Sequence, residues 1–297
     1  LITFFSQLSN QGEVMDITKL TAKASDSAVV SAIRVAHDSY TAIKSTDTGT
    51  GGLSKDDVNV GHHAIVTEAD IASELYVLWE LSNSHNDGRF LTEEGGLDLL
   101  REVILGETSY RRILEYPLVF GIDPIDGTSQ FERGLYEWSI SIGVMRDGTH
   151  LGGAIYAPDV KGGLLVAGER GIGTFALVGD DEPKRCEVVD RPAIDRIVAF
   201  GPDVFFIPHF SKFIVNTSKH IRTTNVTGSC ALGLALVANG QLDALVQPVQ
   251  APWDWFAGLP LVEAAGGKVA FYRYEAGRPK RLRDLDVDAY DPAHRSV

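Results

Sequence analysis

Apolar residues recur along the chain at two spacings, and these divide it into helical and extended stretches. From Asp16 to Lys44, the residues Ile17, Leu20, Ala24, Ala28, Ile33, Ala36, Tyr40 and Ile43 form a stripe at roughly helical spacing. The Thr- and Gly-rich stretch from Thr46 to Ser54 reads as a loop. A second helix starts at Thr67, with Ile71, Leu75, Leu78 and Trp79 on one face, and Ser84-His85-Asn86-Asp87-Gly88 ends it. Leu118 to Ile122 reads as a strand running into an Asp-Pro turn. Trp138 to Val144 alternates large apolar with small residues, the period of a strand, and Gly152 to Ala157 is its expected partner.

After Asp190-Arg191-Pro192 the pattern changes to strands alternating with helices. Ile197 to Phe200 is a strand, Ser229 to Asn239 a helix and Ala244 to Val246 a strand. Asp254 to Ala265 follows as a helix and Lys268 to Phe271 as a strand. That order predicts an α/β second half behind an α+β first half. The expected division is residues 1–190 and 191–297, intimately packed across a soft boundary. No internal repeat and no low-complexity tract interrupts the chain.

Composition narrows the function classes. Hydrophobic content of 44% and charged content of 23% sit at ordinary globular values. The formal net charge of -13 repels nucleic-acid backbones and argues against a DNA- or RNA-binding role. No apolar run reaches the length of a membrane span. Leu1-Ile2-Thr3-Phe4-Phe5 is too short for a signal-peptide core and has no basic segment before it. Cys186 and Cys230 allow at most one disulfide and give no reason to invoke an oxidising compartment. The expected location is cytoplasmic.

The chemistry concentrates in Gly121-Ile122-Asp123-Pro124-Ile125-Asp126-Gly127-Thr128-Ser129-Gln130-Phe131. Two carboxylates three residues apart follow a strand, with Pro124 stiffening the turn between them. The small, polar Asp126-Gly127-Thr128-Ser129 opens a helical turn whose free N–H groups face the same point. Magnesium favours carboxylate and carbonyl oxygens and commonly shares them with substrate phosphates. A helix N-terminus offers donors and partial positive charge to a phosphate. An Asp-Pro turn with an N-cap explains these residues equally well when they are taken alone. Further acids stand at Glu93-Glu94, at the end of a strand, and at Asp254, between Trp253 and Trp255. Asp254 also fits an N-terminal capping role in the helix that follows, and Thr67-Glu68-Ala69-Asp70 fits a capping box. His62 and His63 are neighbours whose side chains point apart, so they do not chelate together. Phosphate-loop, nucleophile-elbow, His-Glu-x-x-His and Cys-x-x-Cys motifs are all lacking.

Taken together, these segments resemble the inositol monophosphatase family of lithium-sensitive, magnesium-dependent sugar phosphatases. Four blocks match in order: Val66-Thr67-Glu68-Ala69-Asp70, Thr92-Glu93-Glu94, Ile122 through Phe131, and Trp253-Asp254 through Glu263-Ala264-Ala265-Gly266-Gly267. The resemblance implies a layered αβαβα sandwich of the sugar-phosphatase type. It implies that Glu93, Asp123 and the Ile125 carbonyl hold one magnesium ion, and that Asp123, Asp126 and Asp254 hold a second. A third, weaker ion is implied near Glu93 and Asp70. Thr128, Asp70 and Glu93 become the catalytic group, with Thr128 and Asp70 orienting a water activated by the ion. Gly127, Thr128, Ser129, Gly228, Ser229, Cys230, Gln247 and Asp254 become substrate contacts. Glu74, one turn beyond Asp70, is read as structural or as a support behind the metal ligands. A homodimer acting on a small phosphorylated metabolite, away from nucleic acid and membrane, completes the implied picture.

Four positions depart from the family pattern. Gln247 replaces a glutamate that contacts ring hydroxyls, and Ala64 replaces an acid before the Val-Thr pair. Thr92 replaces a glycine and Phe256 a small residue. The resemblance implies hydrolysis of a small phosphorylated polyol or sugar, with inositol phosphate or another polyol phosphate first, and histidinol phosphate, fructose 1,6-bisphosphate and 3′-phosphoadenosine 5′-phosphate as the alternatives. Ser229 as a helix N-cap and Cys230 as a small buried hydrophobe are the plain structural readings of the Gly228 segment. The reading from a different class is a non-enzymatic regulatory or binding protein with a vestigial metal site, against which stands the complete set Glu93, Asp123, Asp126, Thr128 and Asp254.

Overall fold

The computed structural model describes residues 15–46, 53–55, 64–66, 68–95, 110–202, 204, 210–248, 250–275 and 278–281. His62, His63 and Thr67 lie outside the described residues. The chain opens with a helical turn, α1 (Thr18–Thr21), and a long helix, α2 (Ser27–Lys44). The single stripe expected from Asp16 is thus broken, because the Asp26 side chain accepts the Ala28 N–H at 2.8 Å and caps a new helix. Leu53–Lys55 (β1) pairs antiparallel with Ala64–Val66 (β2), so Leu53 and Ser54 are extended rather than loop. Helix α3 (Glu68–Ser84) buries Ala69, Asp70, Ser73, Glu74, Val77, Leu78 and Leu81. Ile71, assigned from spacing to the buried face, is 40% exposed. The inward face of α3 carries two carboxylates, which apolar periodicity does not register.

The strands β3 (Arg89–Thr92), β4 (Leu118–Asp126), β5 (Ser139–Arg146), β6 (Thr149–Ala157), β7 (Leu164–Glu169), β8 (Gly173–Val178) and β9 (Lys184–Arg185) form a seven-stranded sheet in sequence order. Only the β3–β4 pair in it is parallel. The short helix α4 (Tyr110–Ile113) precedes β4, and α5 (Thr128–Glu132) follows it. A second sheet holds β10 (Ile197–Phe200), β11 (Thr223–Val226) and β12 (Ala244–Val246), all parallel, in the order β11-β10-β12. Its crossovers are helices α6 (Phe210–Ser218) and α7 (Cys230–Ala238). This is the alternating strand–helix order expected beyond residue 190.

The helix expected from Asp254 to Ala265 is two helices, α8 (Pro252–Phe256) and α9 (Gly258–Ala264). Pro260 brings no backbone N–H to bond back to Phe256, and the helix is interrupted at Ala257. Lys268–Phe271 is not a strand; pairing begins at Tyr272, between β13 (Tyr272–Glu275) and β14 (Arg278–Arg281).

Alternation sorts the side chains into layers. Phe120, Ile122, Ile140, Ile142 and Val144 face α2 and α3, with Ala32, Ile33, Val77 and Leu78 in the same cluster. The opposite face, through Ile155, Leu164 and Val166, packs with Ala231, Ala235, Leu261 and Val262 of α7 and α9. Ala199 of β10 joins that cluster, whereas Val198 and Phe200 turn to Phe210 and Ile214 of α6. The resulting order is helices α2 and α3, the seven-stranded sheet, helices α7 to α9, the parallel sheet, then α6. That is the layered αβαβα sandwich.

Two glycines let the central helices approach the large sheet. A Cβ on Gly121 would lie 2.3 Å from Cγ of Phe256, and one on Gly143 would lie 2.5 Å from backbone atoms of Phe256 and Ala257. Phe256 therefore lies flat against β4 and β5, with His150 tilted edge-on at 4.4 Å between ring centroids. The bulky residue at this position is accommodated by the bare backbone beneath it.

Candidate active site

The site gathers where β3 and β4 end. β4 runs through the Asp-Pro motif to Asp126, and its pairing with β5 shifts register between Asp123 and Asp126. Pro124 is tolerated there because a bulge leaves its missing N–H without a ladder partner. The Pro124 carbonyl accepts the Ser73 hydroxyl of α3 at 3.2 Å. Gly127 then turns the chain into α5 with φ +96°. A Cβ on Gly127 would meet the Glu137 carbonyl at 3.0 Å, so both conformation and space require glycine.

Asp123 is 2% exposed, and its Oδ1 has no hydrogen-bond partner. Burial pushes its carboxyl well above the usual carboxylate range. Glu93, Asp126 and Asp254 push it the same way, and Asp123 shares a hydrogen bond with the Glu93 carboxyl. Glu93 directly follows β3, and the segment is tied down by its neighbours. Glu94 N–H donates to Glu74 of α3 at 3.0 Å, and Gly95 N–H to the Thr92 hydroxyl at 3.1 Å. Glu74 thus fixes the backbone beside Glu93. Asp254 sits in the first turn of α8, where its Oδ2 accepts the Ala251 N–H at 2.9 Å.

Asp126 is held by the start of α7. The Ser229 hydroxyl donates to its Oδ2 at 2.7 Å, Cys230 N–H to its Oδ1 at 3.2 Å, and Ala231 N–H to Oδ2. Burial nonetheless pushes Asp126 up to about 6, against these bonds. Ser229 also accepts the Leu232 N–H at 3.0 Å, so it caps α7 as its sequence position allows. Cys230 is 4% exposed and packs among Val119, Met145 and Leu259.

Thr128 begins α5 with its hydroxyl 3.1 Å from the Ile125 carbonyl and 3.3 Å from Oδ1 of Asp70, which is fully buried. Ser129 beside it is exposed. Gly228 lies under Gln130, whose side chain occupies the space a Cβ would need. Gln247 packs in the same way over Gly201, at the C-terminal ends of β10 and β12, and its Oε1 is buried without a partner.

Among the described residues, no three His, Cys, Asp or Glu side chains stand as a ready-made metal-holding group. The donor chemistry nevertheless fits a hard divalent cation. The largest charges acting on Asp123 are all negative, its Oδ1 is an orphaned buried acceptor, and the donors are oxygens. Sequence reading missed Ser139 and Ser141 of β5. Ser139 lies 3.1 Å from Ser229, oxygen to oxygen, and both serines are fully buried. The available signal was the small polar residue at alternate positions of Trp138-Ser139-Ile140-Ser141-Ile142.

Alternating helix and sheet layers with acids crowded at the end of β4 define a layered fold of the sugar-phosphatase type. The chain belongs to the inositol monophosphatase family, whose model matches residues 16–291. It is 32% identical over 209 residues to the inositol-1-monophosphatase of Mesorhizobium japonicum, spanning 69% of this chain and 71% of that protein. It is 30% identical over 219 residues to the fructose-1,6-bisphosphatase/inositol-1-monophosphatase of Thermotoga maritima, spanning 74% and 76%. The crystal structure of the extragenic suppressor protein suhB from Bartonella henselae superposes with TM-score 0.65 at 27% identity, covering 83% of this chain and 87% of that one. Among the described residues, no helix is long and apolar enough to cross a membrane.

Proposed function

We propose that this protein is a magnesium-dependent phosphomonoesterase that hydrolyses a small phosphorylated polyol or sugar, of the inositol 1-phosphate kind, to the alcohol and phosphate. The observation that carries the reading is the crowding of Glu93, Asp126 and Asp254 on the buried Asp123, whose Oδ1 has no hydrogen-bond partner. Carboxylates kept together at this cost need a cation to neutralise them.

Glu93, Asp123 and the Ile125 carbonyl would hold one magnesium ion, and Asp123, Asp126 and Asp254 a second. When bound, these ions supply Lewis-acid stabilisation of phosphoryl oxygens and lower the pKa of water. Gly127 and Thr128 direct backbone N–H groups at the phosphate. The Thr128 hydroxyl, backed by Asp70, orients the attacking water and takes its proton towards Asp70. The water oxygen bonds to phosphorus, the bond from phosphorus to the ester oxygen breaks, and the departing oxygen is protonated from solvent. Gln247 presents an amide in place of a charge, which favours hydroxyl groups over cationic substituents on the substrate.

The test is phosphate release from myo-inositol 1-phosphate, histidinol phosphate, fructose 1,6-bisphosphate and 3′-phosphoadenosine 5′-phosphate, each with and without magnesium. The expected result is magnesium-dependent release, greatest from the polyol or sugar esters. Silence across the panel from folded protein would reject the reading and favour a regulatory protein built on the phosphatase fold.

A further inference from the structure

Asp123 and Ser141 stand directly opposite each other in the β4–β5 pairing. Opposed residues of an antiparallel pair project to the same face, with Cβ atoms about 4.5–5.5 Å apart. Here that face is the one that carries Gly121 and Gly143 against α8. Ser141 is fully buried and Asp123 is 2% exposed, so bulk water reaches neither. The Ser141 Oγ and the Asp123 Oδ1 are both without a hydrogen-bond partner. One is a donor and the other an acceptor, and a single staggered rotation about χ1 re-aims the hydroxyl.

The next rung of the same strand shows the arrangement completed. Ser139 is opposite Asp126, and its hydroxyl lies 3.1 Å from Ser229, which donates to Asp126 at 2.7 Å. Ser229 has one proton, and the carboxylate can only accept, so Ser229 gives that proton to Asp126 and receives the hydroxyl of Ser139. β5 thereby supports Asp126 through a two-serine relay. A buried serine with nothing to bond is a rare and unfavourable choice over alanine.

We propose that Ser141 is a positioning residue for Asp123: its hydroxyl donates to Oδ1 and holds the carboxylate in the orientation that receives a divalent cation. The inference rests on the magnesium reading above. Groups that orient ligands from behind typically change metal affinity by roughly tenfold to a hundredfold when removed.

The experiment is calorimetric titration of Mg2+ into full-length wild type, S141A and S141C in metal-free buffer, with thermal unfolding of each in EDTA alongside. Expected for S141A is a loss of Mg2+ affinity of roughly tenfold or more, with an unfolding temperature in EDTA equal to or above wild type. S141C, nearly the same size with a weak donor, is expected to fall between, and it carries the comparison alone if S141A does not fold. Unchanged affinity in the variant overturns the proposal. So does a purely structural pattern, in which EDTA stability drops and affinity stays. Absence of Mg2+ binding by wild type would instead overturn the magnesium reading on which the proposal rests.

Discussion

Asp123 and Asp126 keep protons in the folded chain at pH values where free aspartates have lost them, because burial opposes their ionisation. The folded state therefore binds more protons than the unfolded one, and metal-free stability falls as pH rises from about 4 through 6, with Asp123 extending the fall upwards. Magnesium, which takes the ionised carboxylates, releases those protons and reverses the loss. Unfolding in EDTA across this range is expected to show the decline in wild type and a smaller one in Asp123→Asn, with magnesium rescuing wild type alone. Parallel curves for the two proteins in EDTA would contradict the assignment. His150 works with the opposite sign: burial holds its imidazole down at about 4, so stability fully present above pH 6.5 is lost as pH falls from there through about 4. His150→Gln should flatten this acid limb, by an amount on the order of 3 kcal/mol. Most of the acids in this cluster were legible as residues because their spacing is local, as in Asp123-Pro124-Ile125-Asp126. Ser139 and Ser141 were not, because their partners are fixed by strand register, which lies outside any local window.

Elements were legible where local periodicity and tertiary packing agree. β5, β10, β12 and α7 follow the apolar pattern within a residue or two at each end, and β6 starts three residues before its expected Gly152. Reading failed where long-range contacts override it. β4 continues past Pro124 because a bulge and the Ser73 bond accommodate the proline. α3 turns Asp70 and Glu74 inward and leaves Ile71 outside. The packing of α8 on β4 gives a prediction at this scale. Gly121→Ala places a methyl into the Phe256 ring and should destabilise by about 1–3 kcal/mol or more. Phe256→Ala alone should cost about 3–5 kcal/mol through the cavity it leaves. The double variant should be clearly more stable than the sum of the two, as measured by urea unfolding in a double-mutant cycle. Strict additivity would mean that the two residues are not in contact.

At the scale of the whole molecule, no single segment makes the site. Glu93 comes from the end of β3, Asp123 and Asp126 from β4, Asp254 from α8, and the donors to Asp126 from α7 beyond residue 228. The strand–helix order gave the class of the second half, and the resemblance of four separated blocks gave the layering. Neither could show that the first turn of α7 closes on Asp126, since those residues lie more than a hundred positions apart. This closure ties residues from either side of position 190 together at the site. Ser229→Ala should therefore both extend Asp126 protonation to higher pH, since the lost hydroxyl bond favours the carboxylate, and destabilise α7, by about 0.5–2 kcal/mol for the cap alone, measured by thermal unfolding. Lithium titrated at fixed magnesium should inhibit turnover; insensitivity into the high millimolar range would count against a cation site of the family kind.

The central claim is that Asp123, crowded by three other carboxylates, exists to share cations in phosphate-ester hydrolysis. The direct measurement is magnesium-dependent turnover of myo-inositol 1-phosphate, or of the best ester found in the panel, by wild type and Asp123→Asn. The account predicts loss of at least about a thousandfold in a variant that stays folded and is no less stable in EDTA. Turnover by Asp123→Asn within a few-fold of wild type would contradict it.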